Sequence, residues 1–142
     1  MKIKLNLVSR AESDTRKIAY EIMDRFVLPS KQRCVVFLEG ELGSGKTTFV
    51  RFALEKLGVA QEEFDGSPTF TIVNEYGNNI FHIDLFRLSN DEDILNAGVY
   101  DYLKGDGIFF IEWPEKLNVI PNIVVEFKEL SGQEREIHVY LS

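Results

Sequence analysis

The chain begins with alternating polar and apolar residues and continues with apolar residues at helical spacing. The alternation from Lys2 to Val8 predicts a half-buried strand. Ser9 and Ser13 are candidate N-caps for the helix that should follow. The apolar positions of that helix recur every three to four residues: Ile18, Ile22, Met23 and Phe26. The first part of the chain therefore predicts a strand followed by an amphipathic helix.

Two later segments are apolar almost throughout, which is typical of strands covered on both faces in a parallel sheet. They run from Arg33 to Glu39 and from Gly107 to Glu112. An amphipathic helix is predicted between them, from Lys46 to Leu57, with Gly58 ending it. The first apolar segment, a glycine-rich turn and this helix thus form one supersecondary unit.

The remaining segments predict further strands and one short helical region. Two strands, Thr69 to Tyr76 and Ile80 to Leu85, should be joined by a turn. Asp91 to Leu103 indicates one or two helical turns around Gly98. A hairpin should close the chain, with strands over Ile123 to Phe127 and Glu136 to Leu141. The predicted order, β-α-β-α-β-β-α-β-β-β, indicates one α/β domain over residues 1–142 with a mixed sheet.

Composition narrows the class of protein. The 142 residues are 44% hydrophobic and 27% charged, which is an ordinary globular balance. The net charge of -7 argues against a protein that holds nucleic acid by itself. The only cysteine, Cys34, excludes an intrachain disulfide and should be a small core residue. No stretch is long and apolar enough to span a bilayer and the start is no secretory signal, so we expect a cytoplasmic protein.

The glycine-rich turn carries the strongest chemical signal. Its sequence, Gly-Glu-Leu-Gly-Ser-Gly-Lys-Thr from Gly40 to Thr47, fits the phosphate-binding P-loop motif at every position. Glycines allow successive backbone N–H groups to turn towards a phosphate, and the following helix adds its positive end. Lys46 should reach the β- and γ-phosphates, the Thr47 hydroxyl should meet Mg²⁺, and Thr48 is a candidate α-phosphate contact. The predicted fold is therefore a P-loop NTPase-like three-layer domain with a central mixed β-sheet.

Such a loop needs an acidic residue at the end of a neighbouring strand to hold or orient the hydrated Mg²⁺. Asp84 and Glu112 each end an apolar strand, and the residues alone leave open which one meets the metal and which activates water. Thr69 is a candidate γ-phosphate sensor or an ordinary strand residue. The two histidines, His82 and His138, are interpreted as structural.

Four stretches, taken in order, resemble the bacterial TsaE family, formerly called YjeE. They are the P-loop through its second threonine, the segments Ser-Pro-Thr-Phe and His-Ile-Asp-Leu-Phe-Arg-Leu, and Ile-Glu-Trp-Pro, beginning at Gly40, Ser67, His82 and Ile111. One departure is Phe86, where the family more often has tyrosine. The resemblance implies an ATPase needed to form threonylcarbamoyladenosine next to the anticodon of tRNAs. It also implies binding to a TsaB–TsaD assembly, with tRNA met only through these partners.

Site roles follow from the resemblance residue by residue. Thr47 and Glu112 would hold Mg²⁺, Asp84 would serve hydrolysis, and Thr69 would belong to a switch-like loop. Thr15 is similar to the family threonine near the nucleotide base. Trp113 would lie beside the site, where it could line the partner interface or serve as a large anchor for packing. ATP phosphates would be bound by six consecutive residues: Gly43, Ser44, Gly45, Lys46, Thr47 and Thr48.

Other nucleotide-dependent functions make different demands on the sequence. A GTPase needs an Asn-Lys-x-Asp or Thr-Lys-x-Asp element, and the nearest string, Leu103 to Asp106, lacks the required first residue. A small-molecule kinase usually carries an arginine-rich lid, and no arginine cluster follows Glu112. A nucleotide-dependent protein-binding switch remains compatible with the sequence and overlaps with the ATPase interpretation.

Overall fold

A computed structural model describes residues 2–30, 32–64, 72–77 and 79–142. Seven strands form one mixed sheet in the order β1-β7-β6-β2-β5-β4-β3. The strands are β1 (Lys2–Ser9), β2 (Arg33–Glu39), β3 (Val73–Tyr76), β4 (Ile80–Asp84), β5 (Gly107–Glu112), β6 (Ile123–Glu129) and β7 (Arg135–Leu141). The helices are α1 (Glu12–Ile22), α2 (Lys46–Lys56), α3 (Asp91–Asn96) and α4 (Val99–Leu103). This order confirms the predicted succession of elements.

The centre of the sheet is parallel and its edges are antiparallel. Strand β2 pairs in parallel with β5 and β6, and β5 pairs in parallel with β4. The outer pairs β3–β4, β6–β7 and β1–β7 are antiparallel. The carboxyl ends of β2, β4 and β5 therefore lie at one edge of the sheet, which is where α/β folds bind ligands.

Helices cover both faces of the sheet. Side chains alternate along β2, so Val36 and Leu38 pack with α1 and α2, whereas Val35 and Phe37 pack with α3 and α4. This alternation explains why the strand is apolar throughout, and it produces the predicted three-layer arrangement. Cys34 is buried in the core on the first face, as expected, and burial raises the pKa of its thiol.

The predicted start of α1 was wrong in detail. The residue that precedes the helix is Ala11, and neither Ser9 nor Ser13 caps it. The Ser9 hydroxyl is instead buried, 2.9 Å from the carbonyl of Ala11 and 2.7 Å from the hydroxyl of Thr15. These contacts join the end of β1 to the first turn of α1. The helix then continues as π-helical turns over Met23–Val27.

Two sequence predictions fall partly or wholly outside the described residues. The strand predicted from Thr69 is described only over Val73–Tyr76, and Thr69 itself lies outside the described residues, with the rest of the Ser67–Phe70 segment.

Among the helices of the described part of the chain, none is long and apolar enough to cross a membrane.

Candidate nucleotide-binding site

The glycine-rich loop lies between the end of β2 and the start of α2. Gly40, Gly43 and Gly45 have φ angles of 151°, 79° and 109°, which residues with a Cβ rarely adopt. Gly45 is the N-cap of α2, so the free N–H groups of the helix begin inside the loop. Ser44 is buried, and its hydroxyl has no hydrogen-bond partner among the described residues. The loop thus offers unpaired donors to an anion.

A cavity of about 610 Å³ opens at this loop. It brings together eight of the ten predicted site residues: Thr15, Gly43, Gly45, Lys46, Thr47, Thr48, Asp84 and Glu112. Of the other two, Ser44 is buried in the loop and Thr69 lies outside the described residues. Trp113 also lines the cavity, beside the loop as expected.

Lys46 is the buried cation of the cavity. Its side chain is 4% exposed, and its Nζ donates a hydrogen bond to the carbonyl of Gly40 at 2.7 Å. The ammonium also lies 3.7 Å from the ring centroid of Trp113, a cation–π contact. Burial lowers the pKa of Lys46, and the carboxylates of Glu112 and Asp84 oppose that shift. The group is therefore held close to both acidic residues.

The two acidic residues end neighbouring parallel strands in register, Asp84 opposite Glu112. Glu112 is 3% exposed, and its two carboxylate oxygens lie 3.3 and 3.2 Å from the hydroxyl of Thr47. The Asp84 carboxylate accepts a hydrogen bond from the N–H of Phe86 at 3.0 Å. Strand β5 is adjacent to β2, and β4 is one strand further out. Of the two acidic residues, Glu112 is therefore the one that lies beside the start of α2, in contact with Thr47.

The donor set fits a magnesium–nucleotide complex. A hydroxyl and a carboxylate are hard oxygen ligands, and Mg²⁺ in such sites needs only one or two protein ligands beside phosphate and water. The described residues hold no cluster of three or more His, Cys, Asp or Glu suited to a metal bound by protein alone.

Arg135 was not predicted as part of the site. It begins β7 and donates from Nε to the carbonyl of Ser44 at 2.9 Å, and from Nη1 to the carbonyls of Gly132 and Glu134. The guanidinium thus ties the β6–β7 hairpin to the loop and holds the peptide group between Ser44 and Gly45 in place.

We expect Arg135→Leu to lower the free energy of unfolding by about 1.5–3 kcal/mol, the range for hydrogen bonds that involve a charged group. Denaturation in urea measures this change. A matched control is Arg25→Leu, because Arg25 pairs with Glu21 on the exposed face of its helix, where such a pair contributes about 0.3–0.5 kcal/mol. Equal losses in the two variants would contradict the role assigned to Arg135.

Two further residues were missed by sequence reasoning. Lys116 donates from Nζ to the carbonyls of Leu85, Phe86 and Leu88, at 2.9, 3.1 and 2.6 Å, and so holds the turn that follows Asp84. His82, interpreted as structural, contacts Glu112 directly. Neither contact had a signal in the sequence. Each one forms because β4 and β5 are neighbours in the sheet, and the presence of a lysine or a histidine does not reveal that arrangement.

A glycine loop at the end of a central parallel strand, before a helix and beside two strand-end carboxylates, defines a P-loop NTPase-like protein. The model of the family "Threonylcarbamoyl adenosine biosynthesis protein TsaE" matches residues 9–137. The chain belongs to the TsaE family, whose members take part in biosynthesis of tRNA threonylcarbamoyladenosine.

Individual relatives support this assignment over the full length of the chain. The TsaE protein of Aquifex aeolicus is 34% identical over 143 residues, covering 99% of this chain and 98% of the relative. The Treponema pallidum TsaE protein is 33% identical over 140 residues, covering 95% and 99%. The crystal structure of Bacillus subtilis YdiB superposes with a TM-score of 0.74 at 27% identity, covering 100% of this chain and 89% of YdiB.

Proposed function

We propose that the chain binds Mg–ATP in this cavity and hydrolyses it slowly, in support of threonylcarbamoyladenosine formation by a TsaB–TsaD assembly. One observation supports this proposal above all. Lys46 and Thr47, at the start of α2, both interact with Glu112, at the end of β5. Family membership supports the pathway, and the geometry of the cavity supports the nucleotide.

The residues divide the work by their chemistry. The loop N–H groups and Lys46 would bind phosphate oxygens, because they are donors at the positive end of a helix. Thr47 and Glu112 would hold Mg²⁺, which when bound offsets phosphate charge. Asp84 ends β4 and is in register with Glu112. Since Glu112 would hold the metal, Asp84 would be the carboxylate that orients the attacking water. Thr15, which lines the cavity, would lie near the base.

Hydrolysis by the chain alone is expected to be slow. P-loop enzymes that turn over fast use an arginine to stabilise the charge of the transition state. Arg87 and Arg135 both line the cavity. Arg135 donates to backbone carbonyls of the loop and hairpin, and Arg87 also has an interaction in the structure, so neither guanidinium is assigned to the transition state. A partner protein would then supply what activates hydrolysis.

The mouth of the cavity supports docking of a protein beside the nucleotide. Leu42 and Phe86 line it and are 70% and 48% exposed, although both are apolar. Phe86 packs against Trp113 with ring centroids 5.0 Å apart. With a net charge of -7, the chain should meet tRNA only through partners that carry cationic surface.

The test is to mix the chain with TsaB and TsaD and measure complex formation by size-exclusion chromatography, with ATP, with ADP and without nucleotide. We expect association that depends on ATP, and release of phosphate to water. Titration with fluorescent ATP and GTP analogues should show preference for ATP. No association under any nucleotide condition, preference for GTP, or phosphate transfer to a metabolite would contradict the proposal.

A further inference from the structure

The fully buried histidine on β4 lies next to the acidic residue at the start of α2. His82 pairs with Phe110 in the register of β4 and β5, and Glu112 follows Phe110 by two residues. Residues two apart in a strand share a face, so the side chains of His82 and Glu112 are diagonal neighbours on the face that α2 covers. His82 is 0% exposed and Glu112 is 3% exposed.

The contact between the two side chains is short and directional. Nε2 of His82 lies 2.6 Å from Oε2 of Glu112. A carboxylate that holds a metal is ionised and only accepts hydrogen bonds, so in that role of Glu112 the Nε2–H tautomer of His82 would be the donor. The other ring nitrogen, Nδ1, has no hydrogen-bond partner among the described residues, and the ring stacks on Phe64 with centroids 6.1 Å apart. Within the described part of the chain, Glu112 is therefore the one hydrogen-bond partner of this ring.

We infer that His82 is a positioning residue, which fixes one oxygen of Glu112 so that the carboxylate faces Thr47 and a bound metal. This inference rests on the proposed function, in which Glu112 holds Mg²⁺. Both oxygens of Glu112 already lie within 3.3 Å of the one hydroxyl of Thr47, which can donate to only one of them at a time. Without the imidazole donor the buried carboxylate could rotate about that contact or draw in water, and both would move the metal-binding oxygen. An apolar ring at position 82 would fill a similar volume without supplying this second donor.

Glutamine and asparagine at position 82 distinguish the hydrogen-bonding role of His82 from simple packing. The amide nitrogen of glutamine lies at the same chain distance as Nε2 of histidine, and that of asparagine lies at the distance of Nδ1. Because Nε2 makes the contact, His82→Gln should keep the hydrogen bond and His82→Asn should lose it. Both variants place a polar amide in the same buried position, so their difference reports the bond and not the burial.

The readout is the gain in ADP affinity that Mg²⁺ provides, measured by calorimetry with Mg²⁺ and with a chelator. Loss of a hydrogen-bonded partner of a metal ligand typically weakens metal binding by about 10- to 100-fold. We expect that loss of the Mg²⁺-dependent gain in His82→Asn and in His82→Phe, with affinity for metal-free ADP unchanged. His82→Gln should retain most of the gain. In the double variant His82→Asn with Glu112→Gln, the loss should not exceed that of Glu112→Gln alone.

His138→Phe is the matched control. Its Nε2 lies 2.8 Å from Glu136 and its Nδ1 is also without a partner among the described residues, but it does not line the cavity. It should leave the gain unchanged. If Glu112→Gln keeps the full gain, the proposed metal role of Glu112 fails. If Glu112→Gln loses it but a folded His82→Asn keeps it, or if the two losses multiply, the inference about His82 alone is overturned.

Discussion

Replacing Lys46 by alanine should reduce ATP hydrolysis in the presence of TsaB and TsaD by about 100- to 1,000-fold, the effect of removing one preorganised transition-state donor. The side chain supplies the buried cation next to Glu112 and Asp84. Without it, the two carboxylates face the phosphates with one neutralising charge fewer. We therefore expect weaker ATP binding as well as slower turnover.

The loss in Lys46→Ala should not arise from unfolding. Burial lowers the pKa of this ammonium, so keeping the charge in the folded state costs stability at any pH below both its folded and its unfolded pKa. Alanine removes that cost together with the hydrogen bond to Gly40. Thermal unfolding checks the fold. Trp113, the only tryptophan of the chain, contacts Lys46 and gives an intrinsic fluorescence signal for nucleotide binding.

Lys56→Ala is the control for charge on the same helix. Lys56 lies at the other end of α2 and pairs with Asp24 at 3.4 Å on the surface. Its removal changes the net charge by the same amount as Lys46→Ala and should leave hydrolysis unchanged. Comparable loss of activity in the two variants would show that the effect is global charge and would contradict the role of Lys46.

Most of the fold was predictable because its signals are local. Alternating residues in β1, apolar runs in β2 and β5, and helical spacing in α2 each specify an element without reference to distant parts of the chain. The P-loop motif specified the loop and the first residues of the helix in the same way. The start of α1 was missed because a buried bond between Ser9 and Thr15 sets the backbone there.

The part of the site that depends on strand order could not be predicted. Arg135 reaches the loop only because β7 lies two strands from β2, although 91 residues separate it from Ser44. His82 meets Glu112 only because β4 and β5 pair in one particular register. Such contacts follow from the arrangement of the whole sheet, and a single sequence carries no periodic signal for that arrangement.

Replacing Gly40 by alanine should lower the free energy of unfolding by about 2–6 kcal/mol, the sum of backbone strain and overpacking. A Cβ at this position would lie 2.7 Å from the hydroxyl of Ser44 and 2.8 Å from the carbonyl of Phe127. The carbonyl belongs to the backbone of β6 and cannot rotate away as a side chain would. The φ of 151° adds strain for any residue with a Cβ. Guanidinium denaturation measures the loss, and we expect ATP binding to fall with it.

Gly43→Ala separates the steric from the conformational contribution in the same loop. Gly43 also has a positive φ, 79°, but among the described residues beyond its chain neighbours no atom lies within 4 Å of the Cβ that alanine would add. Only the conformational cost of about 1–2 kcal/mol applies there. If the two variants lost the same stability, the close approach of the loop to β6 would have no energetic consequence. A larger loss at Gly40 would show that β6 is a wall of the phosphate loop, which explains why glycine is needed before the loop turns.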